Sequence, residues 1–249
     1  MRALFVNLLL VLLLSSSCVT QEPAPPPQQD SLVQSTANDS FPLKQQVNGT
    51  TYSIFYSGDH SFGITSTRPA RDDKNISLCI AGAFTLLENG EIDGLYIVNG
   101  KILRAKANHH IGGGLLVQNG KISILKTNDG KLLTPLWADS IAKLNASFFQ
   151  QIQLVRNDSA LRFGKDKALF QRRAIVIFKD GKTSVVESKE AILLQRFADD
   201  LAQLGAKDAL YTDMGGWDEG FYRDANGVVR TMGLMRTDTR RQSNWVVMK

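Results

Sequence analysis

The residues best suited to chemistry lie between positions 208 and 223, where the sequence reads D-A-L-Y-T-D-M-G-G-W-D-E-G-F-Y-R. A short apolar run leads to Asp213, and Gly215 and Gly216 follow within three residues. A strand that ends in a carboxylate and two glycines places charge at a sheet edge, beside backbone that can approach a ligand closely. The segment therefore predicts a ligand site built around Asp213.

Other stretches of the chain accompany this segment. They are S-L-C-I-A-G-A-F-T at residues 77–85, F-Q-R-R-A-I at 170–175, a helix pattern at 188–205 and Q-S-N-W-V-V at 242–247. In order, and across residues 75–249, they resemble the phosphodiester glycosidase family. Ala81 departs from that family, which usually has Asn there, and Met214 and Trp217 replace a common Gly and Ser. These departures imply a site with one polar group fewer and a different substrate.

The resemblance implies a secreted hydrolase that cleaves a sugar-1-phosphodiester in a glycan or cell-envelope polymer. Positive charge develops on the sugar and negative charge grows on the leaving phosphate. Such a site needs a carboxylate near the sugar and cationic or N–H donors near the phosphate. There are two alternatives. One is a phosphoglycan-binding protein on the same scaffold, in which the loss of Asn at position 81 marks binding without cleavage. The other is a structural envelope lipoprotein.

The resemblance also assigns roles to residues. Asp213 is the expected catalytic carboxylate, as base, nucleophile or ion ligand; otherwise it is a turn-forming aspartate. Arg173 is expected to contact the phosphate through its planar guanidinium, and the alternative is a surface ion pair. The substrate-binding candidates, each with a plain alternative in a turn, a helix end, a loop or the surface, are Gly215, Gly216, Asp218, Glu219, Asn145, Asn244 and Arg223.

Neither a zinc site nor a nucleic-acid partner is predicted. His109 and His110 precede three glycines, but no third ligand lies at a metal-like spacing, so no zinc site is expected. No cofactor is assigned, and a requirement for a divalent cation is left open. The formal charge of +5 is spread along the chain without a basic cluster that includes aromatic residues. This mild positive balance favours anionic substrates such as phosphorylated glycans.

The N-terminus has the pattern of a targeting segment. Residues 1–17 read as a signal peptide, because an apolar run too short to span a bilayer ends in small residues. The following Cys18 looks like the lipidated cysteine of a bacterial lipoprotein; the alternative is an ordinary secretory signal. Residues 18–40, rich in Pro, Gln and Ser, predict a flexible tether. We therefore expect an exported protein, lipid-anchored in the cell envelope and facing the periplasm or the cell surface.

The rest of the chain, residues 41–249, is expected to be a single phosphodiester glycosidase-like domain. Asn99-Gly100 and Asn119-Gly120 each separate two apolar runs, which is the strongest hairpin signal. The clearest helix spans residues 189–204, capped by Ser188 and ended by Gly205. Many hairpins and few helices predict an α+β fold, with a largely antiparallel or mixed sheet, several hairpins and a few packed helices.

Overall fold

The structure, a computed structural model, describes residues 41–86, 88–164, 166–213, 220–233 and 242–249. These residues lie in one unit, Asp39–Lys249. The helices are α1 (Pro135–Lys143) and α2 (Leu194–Gln203). The strands are β1 (Leu43–Val47), β2 (Thr50–Tyr56), β3 (Phe62–Thr65), β4 (Leu78–Ala81), β5 (Tyr96–Val98), β6 (Lys101–Arg104), β7 (Gly113–Gln118), β8 (Lys121–Lys126), β9 (Ser147–Gln151), β10 (Gln153–Arg156), β11 (Ser159–Ala160), β12 (Arg173–Phe178), β13 (Thr183–Ser188), β14 (Ala206–Tyr211), β15 (Gly220–Arg223), β16 (Val229–Met232) and β17 (Trp245–Met248).

The strands form three sheets, and neighbouring strands run antiparallel in each. The first sheet has seven strands in the order β1-β2-β13-β12-β14-β10-β11. The second sheet has the order β16-β15-β4-β17-β3, and the third has the order β6-β5-β9-β7-β8. Side chains from all three sheets, among them Ile175, Ile80 and Phe149, meet in one buried core. The sheets are therefore joined by a shared apolar interior.

Each helix covers the outer face of one sheet. Phe197 and Leu201 of α2 pack on the first sheet, and Ala138 and Ile141 of α1 pack on the third. The buried carboxylate of Asp200 accepts hydrogen bonds from the Tyr52 hydroxyl at 2.6 Å and from Arg196 at 3.1 Å. Because a buried carboxylate needs such partners, these contacts fix how α2 docks on β2.

The prediction of an α+β fold with several packed helices was wrong. Strands make up 44% and helices 10% of the residues that the structure describes, so this is a β-rich domain of three antiparallel sheets. Two helices occur in the part of the chain that the structure describes. The interior of the third sheet is built on β9, a central strand whose five residues are all buried. The fold therefore depends on pairing between strands far apart in the sequence, such as β12 with β14 and β4 with β17.

The predicted helix at residues 189–204 is shorter than expected. It begins at Leu194, and Leu193 rather than Ser188 occupies the capping position. Ile192 and Phe170 form an isolated antiparallel bridge, in which the Ile192 N–H donates to the Phe170 carbonyl at 2.8 Å. This bridge keeps the preceding residues extended, so the helix starts only after it.

Local signals were read correctly elsewhere. Both Asn-Gly turns form as predicted, and Asn119 and Gly120 have φ of 50° and 75°. A turn with two positive φ angles matches the twist of the flanking strands, which is why Asn-Gly is favoured there. Cys79 is fully buried on β4. No helix within the described ranges has both the length and the apolar character needed to cross a membrane.

Candidate functional site

The carboxylate of Asp213 is held in place just beyond the end of β14. Its backbone N–H donates to the Gly82 carbonyl at 2.8 Å, and the Thr85 N–H donates to its Oδ2 at 3.2 Å. Asp213 is 9% exposed, so the carboxylate retains a small opening to solvent. The contacts join the end of β14 in the first sheet to the loop after β4 in the second. A fixed, slightly exposed carboxylate of this kind can serve as a base, a nucleophile or a cation ligand.

Asn244 organises the loop that contacts Asp213. Its Oδ1 accepts hydrogen bonds from the N–H groups of Gly82 and Ala83, and its Nδ2 donates to the Ala83 carbonyl at 3.0 Å and to Thr85 Oγ1 at 3.3 Å. Position 82 has to be glycine, because a Cβ there would lie 2.8 Å from Asn244 Oδ1. Asn244 is fully buried. Its amide therefore orients the loop, and through Thr85 it orients the Asp213 carboxylate.

Two glutamines that the sequence did not single out support this arrangement. Gln242 Nε2 donates to the Asn244 carbonyl at 2.9 Å, and Thr85 Oγ1 donates to Gln242 Oε1 at 3.4 Å. Gln151, at the end of β9, donates from Nε2 to the Gly82 carbonyl at 3.4 Å. All three sheets thus contribute to the loop at residues 82–85. No local sequence signal distinguishes these glutamines, because the contacts of Gln242 with Thr85 and of Gln151 with Gly82 each join residues more than 60 positions apart.

Arg173 and Glu187 form a buried ion pair on the neighbouring strands. They are opposite each other in the register of β12 and β13. The Arg173 Nε donates to Glu187 Oε2 at 2.8 Å, and Nη2 donates to the same oxygen. Arg173 is fully buried, and Glu187 is 8% exposed. The other oxygen of Glu187 accepts from Gln171 Nε2 at 3.3 Å and from the Gly233 N–H at 3.4 Å.

The ion pair and Asp213 lie at the same end of the first sheet. The Thr212 N–H donates to the Arg173 carbonyl at 3.1 Å, so the residue before Asp213 lies beside Arg173. The pKa of Tyr211 is raised, chiefly by burial, and the nearby Arg172 guanidinium opposes this rise. The charges of Asp213, which raises the pKa, and of Arg173, which lowers it, have smaller effects. Glu187 in β13 and Asp213 just after β14 therefore lie on the two sides of β12. Adjacent strands are about 4.8 Å apart, so two carboxylates and a guanidinium share this sheet edge.

Arg172 has a structural role next to this edge. Its Nη2 donates to Asp166 Oδ2 at 2.8 Å, and its Nη1 donates to the Tyr211 hydroxyl at 3.2 Å. The guanidinium also lies over the ring of Phe170, 5.1 Å from its centroid. These contacts anchor the start of β12, which carries Arg173.

Two predicted substrate-binding residues lie elsewhere. Asn145 follows α1 with a φ of 52°, which is the left-handed conformation of a helix end. Gln151, at the far end of β9, comes six positions later, which corresponds to about 20 Å of extended chain. Arg223 donates to four backbone carbonyls, including those of Arg71 at 2.8 Å and Asp73 at 2.9 Å. Its guanidinium ties the end of β15 to the loop before β4.

Five other predicted residues lie outside the described part of the chain, namely Gly215, Gly216, Asp218, Glu219 and Cys18. Both described histidines of the glycine-rich stretch are exposed, and His109 contacts the Asp129 carbonyl at 3.2 Å. Within the ranges given above, no group of three or more His, Cys, Asp or Glu side chains is placed to hold a metal ion.

Comparison with known proteins shows a relationship of fold. No protein-family model and no curated protein matches the sequence. The catalytic domain of zebrafish N-acetylglucosamine-1-phosphodiester alpha-N-acetylglucosaminidase, auto-inhibited by its pro-peptide, aligns with a TM-score of 0.56 and 11% identity, over 86% of this chain and 84% of that one. A hypothetical protein from Synechocystis aligns with a TM-score of 0.53 and 13% identity, over 83% of this chain and 61% of that one. The protein therefore shares, distantly, the fold of a phosphodiester glycosidase domain.

Proposed function

We propose that this protein hydrolyses a sugar-1-phosphodiester. Water attacks the anomeric carbon, the bond from that carbon to the phosphate oxygen breaks, and a phosphomonoester leaves. The proton of the attacking water passes to a carboxylate. The observation that carries the proposal is the fixed Asp213 carboxylate, held by Thr85 and the Asn244-bound loop in a fold shared with a glycosidase domain.

Charge at the sheet edge fits the demands of this reaction. A carboxylate stabilises the positive charge that develops on the sugar, and a second carboxylate can exchange protons with water or the leaving group. Asp213 is assigned the first role, and Glu187 supplies the second acid. The guanidinium of Arg173 is assigned to the developing negative charge of the phosphate. Its hydrogen bonds to Glu187 must then rearrange on substrate binding, as catalytic hydrogen bonds often do.

A second candidate function is phosphoglycan binding without turnover. Ala81 is fully buried on β4 opposite Trp245, at the position where the resembled family usually has Asn. In addition, the Arg173 fork is occupied by Glu187. A site that has one polar group fewer, and in which Glu187 already occupies the Arg173 guanidinium, suits a protein that binds its ligand and leaves the glycosidic bond intact.

Isotope labelling distinguishes these candidates. The full-length protein is incubated in H₂¹⁸O with a panel of sugar-1-phosphodiesters, and the products are analysed by mass spectrometry. Cleavage at the anomeric carbon puts the label on the released sugar. Label on the phosphate would show attack at phosphorus and would reject the glycosidase proposal. Saturable binding of the panel without product would select the second candidate.

The proposed location is the cell envelope, with a lipid on Cys18. Cys18→Ser removes the acceptor thiol, so the variant should move from the membrane to the soluble fraction after cell lysis. Cys79→Ala is the matched control, because it removes the only other cysteine and should leave the protein with the membrane. Membrane association of Cys18→Ser equal to that of the wild type would exclude the anchor.

A further inference from the structure

A cavity of about 630 Å³ lies next to the candidate site, and neither Asp213 nor Arg173 lines it. We call it the Tyr96 cavity, and its walls include Glu91, Ile92, Tyr96, Leu103, Arg104 and Lys106. The volume is in the range of small-molecule sites, which span roughly 300–1,000 Å³.

The Tyr96 cavity is separated from the candidate site by one pair of extended segments. Thr85, which donates its N–H to Asp213, forms an isolated antiparallel bridge with Ile92 of the cavity wall. Paired segments lie about 4.8 Å apart. Ser243 also lines the cavity, and it directly precedes Asn244. A molecule in the cavity would therefore lie close to the loop that orients Asp213.

Two buried polar atoms on residues of this cavity have no hydrogen-bond partner. They are the hydroxyl of Tyr96, a residue that is 2% exposed, and Nε of Arg104. Buried donors without partners are rare in native proteins, and each one calls for an explanation. Burial raises the pKa of Tyr96, so its hydroxyl keeps the proton and can donate. The guanidinium Nε–H is also a donor, and both groups therefore call for an acceptor.

The charges around the cavity favour an anionic acceptor. The Arg104 guanidinium is paired with Glu91, so these two charges balance. Lys106 is exposed and forms no ion pair with any residue that the structure describes, which leaves one positive charge in excess. Beside these groups lie the buried Ile92 and Leu103, which is 41% exposed. The wall thus combines donors and a cation with an apolar surface.

We propose that the Tyr96 cavity binds a small molecule that carries an oxyanion, a phosphate or a carboxylate, on an apolar body. The oxyanion accepts from the Tyr96 hydroxyl and the Arg104 Nε–H beside Lys106, once a side-chain rotation on binding opens these two buried atoms to the cavity, and the apolar body packs on Ile92 and Leu103. The inference goes beyond the proposed function, because neither Asp213 nor Arg173 takes part in it.

Calorimetric titration of the full-length protein with phenyl phosphate tests this site. Inorganic phosphate and benzyl alcohol, which carry only one half of the recognised chemistry, should each bind more weakly. Removing a charge-assisted contact typically weakens binding about tenfold, so Lys106→Gln and Tyr96→Phe should each raise the Kd of phenyl phosphate by roughly that factor. Lys101→Gln is the matched control, since Lys101 is an exposed lysine of β6 that does not line the cavity.

Tyr96→Phe has a second readout that does not depend on the choice of probe. Because the Tyr96 hydroxyl is buried without a partner, its removal should raise the Tm of the ligand-free protein. Phenyl phosphate should then raise the Tm of the wild type more than that of the variant. No binding of phenyl phosphate, equal binding by wild type and Lys106→Gln, or a lower ligand-free Tm in Tyr96→Phe would overturn the proposal.

Competition identifies the source of the oxyanion. If the cavity takes the leaving half of the substrate, phenyl phosphate inhibits turnover competitively; if it takes a separate molecule, inhibition is absent or non-competitive. Binding to Asp213→Asn should be unchanged in both cases. If the protein proved not to be a glycosidase, binding of phenyl phosphate to the Tyr96 cavity would still support this inference. If phenyl phosphate did not bind, the glycosidase proposal would be unaffected.

Discussion

Asp213→Asn is expected to lower the turnover of a sugar-1-phosphodiester by about a hundredfold or more, on the scale of positioned acid–base groups. The substitution keeps the size of the side chain and leaves an oxygen that can accept from the Thr85 N–H. It removes the negative charge that would stabilise the sugar cation or accept a proton. The measurement is kcat/KM on a phosphodiester, together with circular dichroism and Tm to verify the fold.

Asp72→Asn is the matched control, because Asp72 is an exposed aspartate on the loop before β4. It should retain wild-type turnover. A well-folded Asp213→Asn protein with near-normal turnover would show that Asp213 only forms a turn, which is the plainer interpretation of the sequence. Loss of turnover with an unchanged Kd for the substrate would instead place the effect in the chemical step.

The position of Asp213 could be predicted from the sequence because its determinants are local. An apolar run that ends in Thr-Asp before two glycines reads as a strand end, and β14 ends two residues before Asp213. The Asn-Gly hairpins were predictable for the same reason, since two positive φ angles restrict the choice of residue. What surrounds Asp213 depends on contacts between sheets. Thr85, which contacts Asp213, lies 128 positions from it in the sequence, and Gln242 lies 157 positions from Thr85. Hydrophobic periodicity carries no information about such distant contacts.

Glu187 was missed although a signal for it was present. Residues 174–178 and 183–186 read as a hairpin around Asp180-Gly181, and the structure pairs Ile177 with Thr183 and Ala174 with Val186. Extending that register by one residue places Glu187 opposite Arg173. A hairpin register therefore identifies the partner of the arginine, whereas the V-V-E-S sequence alone reads as an ordinary strand end. The start of α2 was predicted too early for the opposite reason, because the Phe170–Ile192 bridge that delays it is not local.

The buried ion pair allows the roles of Arg173 in folding and in phosphate binding to be separated. Arg173→Leu leaves the Glu187 carboxylate buried without its counter-charge, and breaking such a pair costs about 3–5 kcal/mol of unfolding free energy. The double variant Arg173→Leu/Glu187→Leu removes both charges and should recover part of that loss. Urea unfolding of the wild type and both variants measures these two losses of unfolding free energy, provided that the dependence on urea concentration, the m-value, is the same for all three proteins. Equal stability of the single and double variants would show that the pair is not coupled.

Arg173→Lys then tests the phosphate role in a protein that keeps the positive charge. Arginine offers two donors in a rigid fork, whereas lysine offers a single ammonium group and cannot reproduce the paired contact. The loss of one charge-assisted hydrogen bond corresponds to about 1.5–3 kcal/mol, or roughly 10- to 100-fold in kcat/KM on a phosphodiester. A substrate with a neutral leaving group has no phosphate to contact, so its residual cleavage should change much less. Glu187→Gln is the companion variant: it leaves the fork of Arg173 intact but removes the proposed second acid, so its loss of turnover should appear on both substrates. An equal loss on both substrates would mean that Arg173 supports the fold or the sugar, and its assignment to the phosphate would then be withdrawn.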